Sequence, residues 1–248
     1  MTARCAVAAG PEDAAGGWTI ASFDRVSSTM DEARRLAVEG APDRTVVRAD
    51  VQTGGRGRLG RPWVSSIGNV YTTAILRPAI STARAAELSL VAAVAVADTV
   101  ARFSESVRLK WPNDVLLNGG KVSGVLLEAV AEGVSLSAVL VGIGVNVGSH
   151  PDLPDRPTSR IETADADTVF AALLDAFDQR YRQWSQHGLG GIRFAWLERG
   201  PDLGSPMIVG LGADRVRGTF AGLEPDGSLR LELADGSVRQ ISSGEVLG

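Results

Sequence analysis

Apolar residues recur along this chain with two different periods, and the change from one to the other marks its organisation. Trp18–Asp24 reads as a strand, and from Ser27-Ser28-Thr29 the spacing turns helical as far as about Glu39. Thr29 and Glu32, or Ser28 and Asp31, stand at capping-box separation, and Gly40 is a natural stop. Thr45–Asp50 predicts a short strand, Asn69–Leu76 another, and Ala83–Phe103 a long helix that is apolar on much of its circumference. Three strands are expected next, at Val107–Trp111, Asp114–Leu117 and Lys121–Val130, with Asn118-Gly119 or Gly119-Gly120 as the hairpin turn between the last two. Val134–Val147 predicts one more long strand, Ala166–Trp184 a helix, and Ile192–Glu198 the start of another. After Gly200-Pro201 helical spacing ceases. Met207–Leu247 alternates apolar and polar positions between turns at Pro225-Asp226-Gly227 and Asp235-Gly236, which predicts a small β-barrel of roughly 45 residues. The chain therefore divides into a poorly ordered leader at 1–17, a large mixed unit at 18–200 and a small β unit at 201–248.

Composition narrows the possibilities. With 248 residues, 44% hydrophobic, 22% charged and a net charge of -4, the chain fits a soluble protein of one large domain, or one large and one small. Its mild acidity argues against a general nucleic-acid binder, whose phosphate contacts demand a basic surface. Cys5 is the only cysteine, so no internal disulfide forms. His150 and His187 are the only histidines and are far apart, so no metal site is expected. Met1–Gly17 lacks the continuous apolar stretch of a signal peptide, and Val91–Ala97 is too short to span a bilayer. A cytoplasmic enzyme without a membrane partner is the expectation.

Candidate chemistry concentrates in Asp50–Trp63, DVQTGGRGRLGRPW. Four glycines (Gly54, Gly55, Gly57, Gly60) and three arginines (Arg56, Arg58, Arg61) share eight positions. Glycines allow close backbone approach, and guanidiniums offer fixed forks of donors to carboxylate or phosphate. This is the composition of a mobile loop that grips anions. Gly55–Gly60 also matches the dinucleotide fingerprint GxGxxG, but Arg61-Pro62-Trp63 follows where a helix should open, and the first acidic residue downstream is Glu87. A phosphate-cradling reading of Gly119-Gly120-Lys121 fails too, because Val115 and Val122 occupy the positions that require Gly and Ser/Thr.

Other positions carry both a plain and a sharper reading. Ser28 and Thr29 serve as helix caps, or present hydroxyls and free N–H groups to a polar ligand. Lys110–Asp114, KWPND, is a turn with a packing tryptophan, or a polar corner facing a ligand. Lys121 is a solvated residue after a turn, or the polar start of VSGVLLE, where Gly124 marks close approach by a ligand. Gly142 and Gly144 in VGIGVNV repeat that logic, and Asn146 adds an amide able to read a base edge or hold a strand end.

Taken in order, Ser28–Ala33, Gln52–Trp63, Lys110–Asp114, Lys121–Glu128 and Val141–Val147 resemble the motifs of the biotin protein ligases, and the resemblance runs from about Trp18 to Gly248. It implies an α+β fold, with a central mixed sheet carrying helices on one side, like class II aminoacyl-tRNA synthetases. It also implies an SH3-like C-terminal barrel. The implied reaction activates biotin with Mg2+-bound ATP to biotinyl-5′-AMP and transfers biotin to a lysine of a biotin carboxyl carrier domain of an acyl-CoA carboxylase. Residues 18–200 would bind biotin and ATP. By resemblance Arg56, Arg58 and Lys121 are catalytic. Ser28, Thr29, Met30, Gln52, Gly55, Gly57, Gly124, Gly142 and Gly144 join them around biotin, and Arg61, Trp63, Lys110, Asn113 and Asn146 join Arg58 and Lys121 around the nucleotide. Asp114 is the candidate base for the acceptor lysine. No dedicated metal site is implied, and the state is a monomer or weak homodimer. Two departures stand out: Met30 takes the place of the family's asparagine, and Met1–Gly17 is too short for an N-terminal DNA-binding domain. The rival readings are a lipoate or octanoate ligase of the same fold, a biotin-responsive transcription factor, and a biotin-binding scaffold without catalysis.

Overall fold

The computed structural model describes residues 17–133, 135–154 and 156–247, together with the backbone of 12–14. In chain order it contains β1 (Glu12–Ala14), β2 (Trp18–Val26), α1 (Thr29–Val38), β3 (Thr45–Gln52), β4 (Val70–Leu76), α2 (Thr82–Ala85) and α3 (Glu87–Ala101). Then come β5 (Val107–Lys110), β6 (Asp114–Leu117), β7 (Gly120–Glu132), β8 (Ser135–Val145), α4 (Ala166–His187) and α5 (Gly190–Leu197). The C-terminal strands are β9 (Pro206–Leu211), β10 (Asp214–Leu223), β11 (Leu229–Glu232), β12 (Val238–Ile241) and β13 (Glu245–Leu247). Most of the leader lies outside the described residues; within it, Glu12–Ala14 pairs antiparallel with Trp18–Ile20. The long helix expected over Ala83–Phe103 appears as α2 and α3, which meet at Ala86.

Among the described residues, eight strands form one sheet in the order β1-β2-β3-β4-β8-β7-β6-β5. The β2–β3 pair is parallel and β3–β4, β4–β8 and β7–β8 are antiparallel, so the sheet is mixed, as expected. The β6–β7 hairpin turns on Asn118-Gly119, both at positive φ (52° and 79°), as a two-residue turn of this hand requires. The C-terminal strands make a separate antiparallel sheet, β12-β11-β10-β9-β13.

The helices do not all lie on one side, which corrects that part of the expectation. Helix α3 is apolar all round and is buried against the sheet on one flank and α4 and α5 on the other. Val46, Ala74, Val141 and Ile143 share a core with Leu88, Phe170, Leu173 and Phe177. Their neighbours on the same strands, Val47, Ile75 and Leu140, point the other way and pack with Met30, Ala33 and Ala37 of α1. Side chains alternate across a strand, so consecutive residues serve opposite faces. Helix α1 connects two parallel strands, and a right-handed crossover sends it to the face that α3 leaves open. It covers that face only in part.

The core continues into the C-terminal sheet. Trp196 of α5 packs on Phe220 with ring centroids 6.2 Å apart, and the same cluster takes in Leu229, Leu231 and Ile241. The indole N–H of Trp111 donates to the Gly227 carbonyl at 3.2 Å, which ties the KWPND corner to this sheet. Among the described residues, no helix is long and apolar enough to cross a membrane.

Candidate functional site

The uncovered part of the α1 face is a trench with a floor of glycines. Gly124 and Gly144 stand opposite each other across β7 and β8, and Gly142 lies between Leu126 and Thr73 of the flanking strands. A two-residue period places Gly142 and Gly144 on the same face. The absence of side chains there makes room that any other residue would fill. A Cβ at Gly144 would stand 2.6 Å from Trp63 Cε2, and one at Gly124 would stand 3.2 Å from Lys121 Nζ. A Cβ at Gly142 would meet the Met30 methyl at 2.7 Å.

One end of the trench is neutral and polar. Ser28 caps α1 by accepting from Met30 N at 3.2 Å, so its plain reading holds. The Thr73 hydroxyl donates to Thr29 Oγ1 at 2.9 Å. Thr29 in turn sends its hydroxyl (3.1 Å) and its N–H (2.8 Å) to Gln52 Oε1. Gln52 Nε2 then donates to Ser65 Oγ, whose hydroxyl donates to the Trp63 carbonyl. This relay joins the sheet floor to the glycine–arginine loop.

The other end is charged. Lys121 Nζ pairs with Asp114 at 2.6 Å, both side chains being mostly buried, and lies 5.4 Å from the Trp63 ring centroid. Arg58 donates to Asn113 Oδ1 at 3.2 Å and to the Gly244 carbonyl at 2.8 Å. Burial lowers the Arg58 and Lys110 pKa values from their ordinary range, and nearby Asp114 and Glu245 oppose that shift. Arg56 grips Asp31 with two guanidinium nitrogens, one at 3.0 Å. Arg61 grips Glu245 in the same way, at 2.5 Å for one of the two bonds. Both carboxyls are held below the usual carboxylate range, first of all by those guanidinium hydrogen bonds.

The asparagines spend their amide hydrogens on the main chain. Asn113 Nδ2 donates to the Val125 carbonyl, and Asn146 Nδ2 donates to the carbonyls of Lys121 (3.3 Å) and Ser159 (3.0 Å). Lys121 is framed from the other side as well, since its N–H donates to the Pro157 carbonyl and its carbonyl accepts from Ser159 N. A Cβ at Gly120 would strike the Thr158 main chain at 2.7 Å.

One cavity is lined by every site residue expected from the sequence except Gly55. Gly55 is buried within the loop, where a Cβ would stand 2.7 Å from Ser65 Oγ. The structure also brings to the cavity residues that the sequence did not single out: Thr73, Leu153, Arg156, Thr158, Glu245 and Val246. Thr73 carried a signal, since its place in NVYTTAIL gives it a face. Glu245 carried none, because no spacing rule reaches across the 184 positions that separate it from Arg61.

Comparison with known proteins adds independent findings. Residues 22–146 match the model of the Biotin/lipoate A/B protein ligase family, and residues 202–247 match that of the Biotin protein ligase C terminal domain. The chain is 40% identical over 220 residues to a biotin--[acetyl-CoA-carboxylase] ligase of Paracoccus denitrificans, covering 84% of this chain and 91% of that protein. It is 37% identical over 238 residues to the bifunctional ligase/repressor BirA of Bacillus subtilis, covering 90% and 72%. The structure of a biotin protein ligase from Aquifex aeolicus in complex with biotin and ATP superposes with a TM-score of 0.78 at 28% identity, covering 92% of this chain and 97% of that one.

Proposed function

Because the chain belongs to the Biotin/lipoate A/B protein ligase family, we propose that the glycine-floored trench is where it joins biotin to protein. The chain is a biotin protein ligase. It uses ATP to activate biotin as biotinyl-5′-AMP and passes biotin to a lysine of biotin carboxyl carrier proteins. The observation that carries this reading is the polarity of the trench: a neutral hydrogen-bonding end at Thr29, Gln52 and Thr73, an apolar glycine floor, and a cationic end at Lys121 and Arg58. Gly142 and Gly144 are two residues apart, or roughly 6.6 Å along a strand. That length suits a short alkyl chain with a neutral ureido ring at one end and a carboxylate at the other.

The first step brings a carboxylate against the α-phosphate of ATP, two anions that repel. Lys121, Arg56 and Arg58 offset that repulsion, and each such group contributes on the order of 2–4 kcal/mol where charge develops. Lys121 serves the shared oxygens if it turns from Asp114 toward the floor, since Gly124 leaves its ammonium room. The half-buried Arg58 guanidinium, weakly hydrated by nature, has fewer waters to shed when phosphate arrives than an exposed ammonium would. Trp63 lies on the floor at Gly144, so binding of the acid lifts the indole to cover the nucleotide, with Lys110, Arg61, Asn113 and Asn146 around it. Closure keeps water from the mixed anhydride. Mg2+ would come with ATP and offset the charge of its phosphates.

In the second step the acceptor amine, with an ordinary pKa of about 10.4, must lose a proton before it displaces AMP. Asp114, released from Lys121, is the carboxylate in place to take it. Asp114→Asn should leave pyrophosphate exchange within a few-fold of wild type while slowing biotin transfer about 10²-fold or more. Unchanged transfer would remove Asp114 from that role. Residues 18–200 would do this chemistry and 201–248 would steady the loop. The acceptor would be the carrier domain of an acyl-CoA carboxylase in the cytoplasm, with the enzyme acting as a monomer or weak homodimer and without nucleic acid.

The test is ATP–pyrophosphate exchange with biotin and with lipoate in parallel. Biotin-dependent exchange that falls about 10²–10³-fold in Lys121→Ala supports the reading. Exchange with lipoate alone would name a different acid, and no exchange with either would leave a binding scaffold.

A further inference from the structure

The closed, neutral end of the trench carries a feature that the reaction itself does not call for. Met30 stands two residues after the capping Ser28 of α1 and turns its thioether under the helix, where it is only 4% exposed. It packs there with Ala33, Ile75 and Leu140. Its terminal methyl reaches over Gly142 and is the one close obstacle to a side chain at that position. The next nearest atoms to a Cβ at Gly142, Leu126 O and Thr73 Oγ1, stand at 3.5 and 3.6 Å, which is ordinary contact. Met30 and Gly142 therefore share one small volume from opposite sides of the trench. A methionine side chain is unbranched and has three rotatable bonds, so it yields when pressed. Its own core neighbours back it, which leaves the trench as the direction in which it yields.

We infer that Met30 and Gly142 together set the depth of the neutral end of the trench, and that Met30 determines the size of the ring group an acid substrate carries there. This rests on the reading of the trench as the biotin site and sharpens it. Gln52, Thr29 and Thr73 offer hydrogen bonds to the polar edge of such a ring. The Met30 thioether and the bare Gly142 offer only an apolar wall, so the ring's hydrocarbon and sulfur side belongs against them. A ligand bulkier or more polar on that side meets the Met30 methyl.

The experiment measures biotin-dependent pyrophosphate exchange in wild type, Gly142→Ala, Met30→Ala and the double variant, with ATP KM and thermal midpoint followed in each. In Gly142→Ala the new methyl pushes the Met30 terminus into the trench, so KM for biotin should rise about tenfold with kcat held within about threefold. Removing the methionine in that background should return KM to within about threefold of wild type, a rescue that independent sites do not show. Met30→Ala alone should raise exchange with biotin sulfone, whose ring sulfur carries two oxygens, relative to biotin by about fivefold or more. Should Met30→Ala fold poorly, Met30→Leu, which ends one atom earlier, carries the same rescue. An unchanged biotin KM in Gly142→Ala, or a double variant no better than Gly142→Ala, overturns the inference while leaving the ligase reading intact. Wild type without biotin-dependent exchange overturns both.

Discussion

The two faces of the central sheet are made by the same strands and have opposite economies of space. On the face toward α3 and α4, β8 presents Val139, Val141, Ile143 and Val145, every one buried. On the other face it presents Ala138 and Leu140 and then Gly142 and Gly144. One side is filled by buried side chains, and the other is progressively emptied toward the site. A single strand can thus be stiff and open at once, because the period of two separates the demands of packing from those of binding. The packed face is what allows the open face to keep its shape.

Substitutions that strike one face at a time sharpen this contrast. The largest effect is expected on the packed side. Leu88→Ala, at a fully buried position of α3, should cost about 2–5 kcal/mol of stability. In a chain of this size that lowers the thermal midpoint by roughly 2–4 °C per kcal/mol, while the biotin KM of the folded protein should stay within about twofold. A shifted KM in Leu88→Ala would mean that the two faces are coupled. On the open side, Gly144→Ala puts a methyl 2.6 Å from the Trp63 ring. It should raise biotin KM about 10–100-fold and leave the stability within about 1 kcal/mol of wild type, since the indole has room to lift. Equal losses of stability in the two variants would break the comparison.

The smallest effect belongs to the loop above the trench. The pKa values of Asp31 and Glu245 are lowered by hydrogen bonds from Arg56 and Arg61. A depressed folded-state pKa means that each pair contributes fully above the ordinary carboxylate pKa of about 4, and that the contribution is lost as pH falls through the lowered value. Both pairs are partly exposed, so each is worth only about 0.2–1 kcal/mol. Protease cleavage at Arg56–Arg61 should therefore be slow near neutral pH and accelerate below about pH 4. Glu245→Gln should raise the neutral-pH rate and flatten the acid response. A rate independent of pH would show that the loop is held by its main-chain bonds, such as Gly57 N to the Arg61 carbonyl, and not by charge.

Much of this site was legible in the chain before any coordinates. Gly124, Gly142 and Gly144 stand out because glycine is wasteful in a strand unless something must come close, and the period of two tells which of them share a face. Lys121 and the arginines stand out because a core would reject them and solubility does not need them. The relay through Thr73 was half legible, in that alternation gave the residue a face but not a partner. What could not be read is what depends on three-dimensional closure. That α1 lies opposite α3 follows from β2 and β3 being parallel, and no local pattern announces a parallel pair. That Asp31 and Glu245 receive the loop arginines depends on two segments far apart in sequence meeting at the trench mouth. Asn146 was legible as an amide able to hold a strand end, but not that its acceptors are the Lys121 and Ser159 carbonyls, which only the folded chain brings together.

The pairing of Arg61 with Glu245 also says something about the order in which the molecule comes together. The two residues are 184 positions apart, and Arg58 reaches for Gly244 across 186. The entropy of closing so long an interval is recovered only after both sheets have assembled and brought the ends near each other. The mouth of the trench is therefore finished last. While the chain is being made from its N-terminus, the glycine floor, Lys121 and the loop are all complete before their distant clasp exists. A partly synthesised chain would carry the chemistry without the means to hold its door.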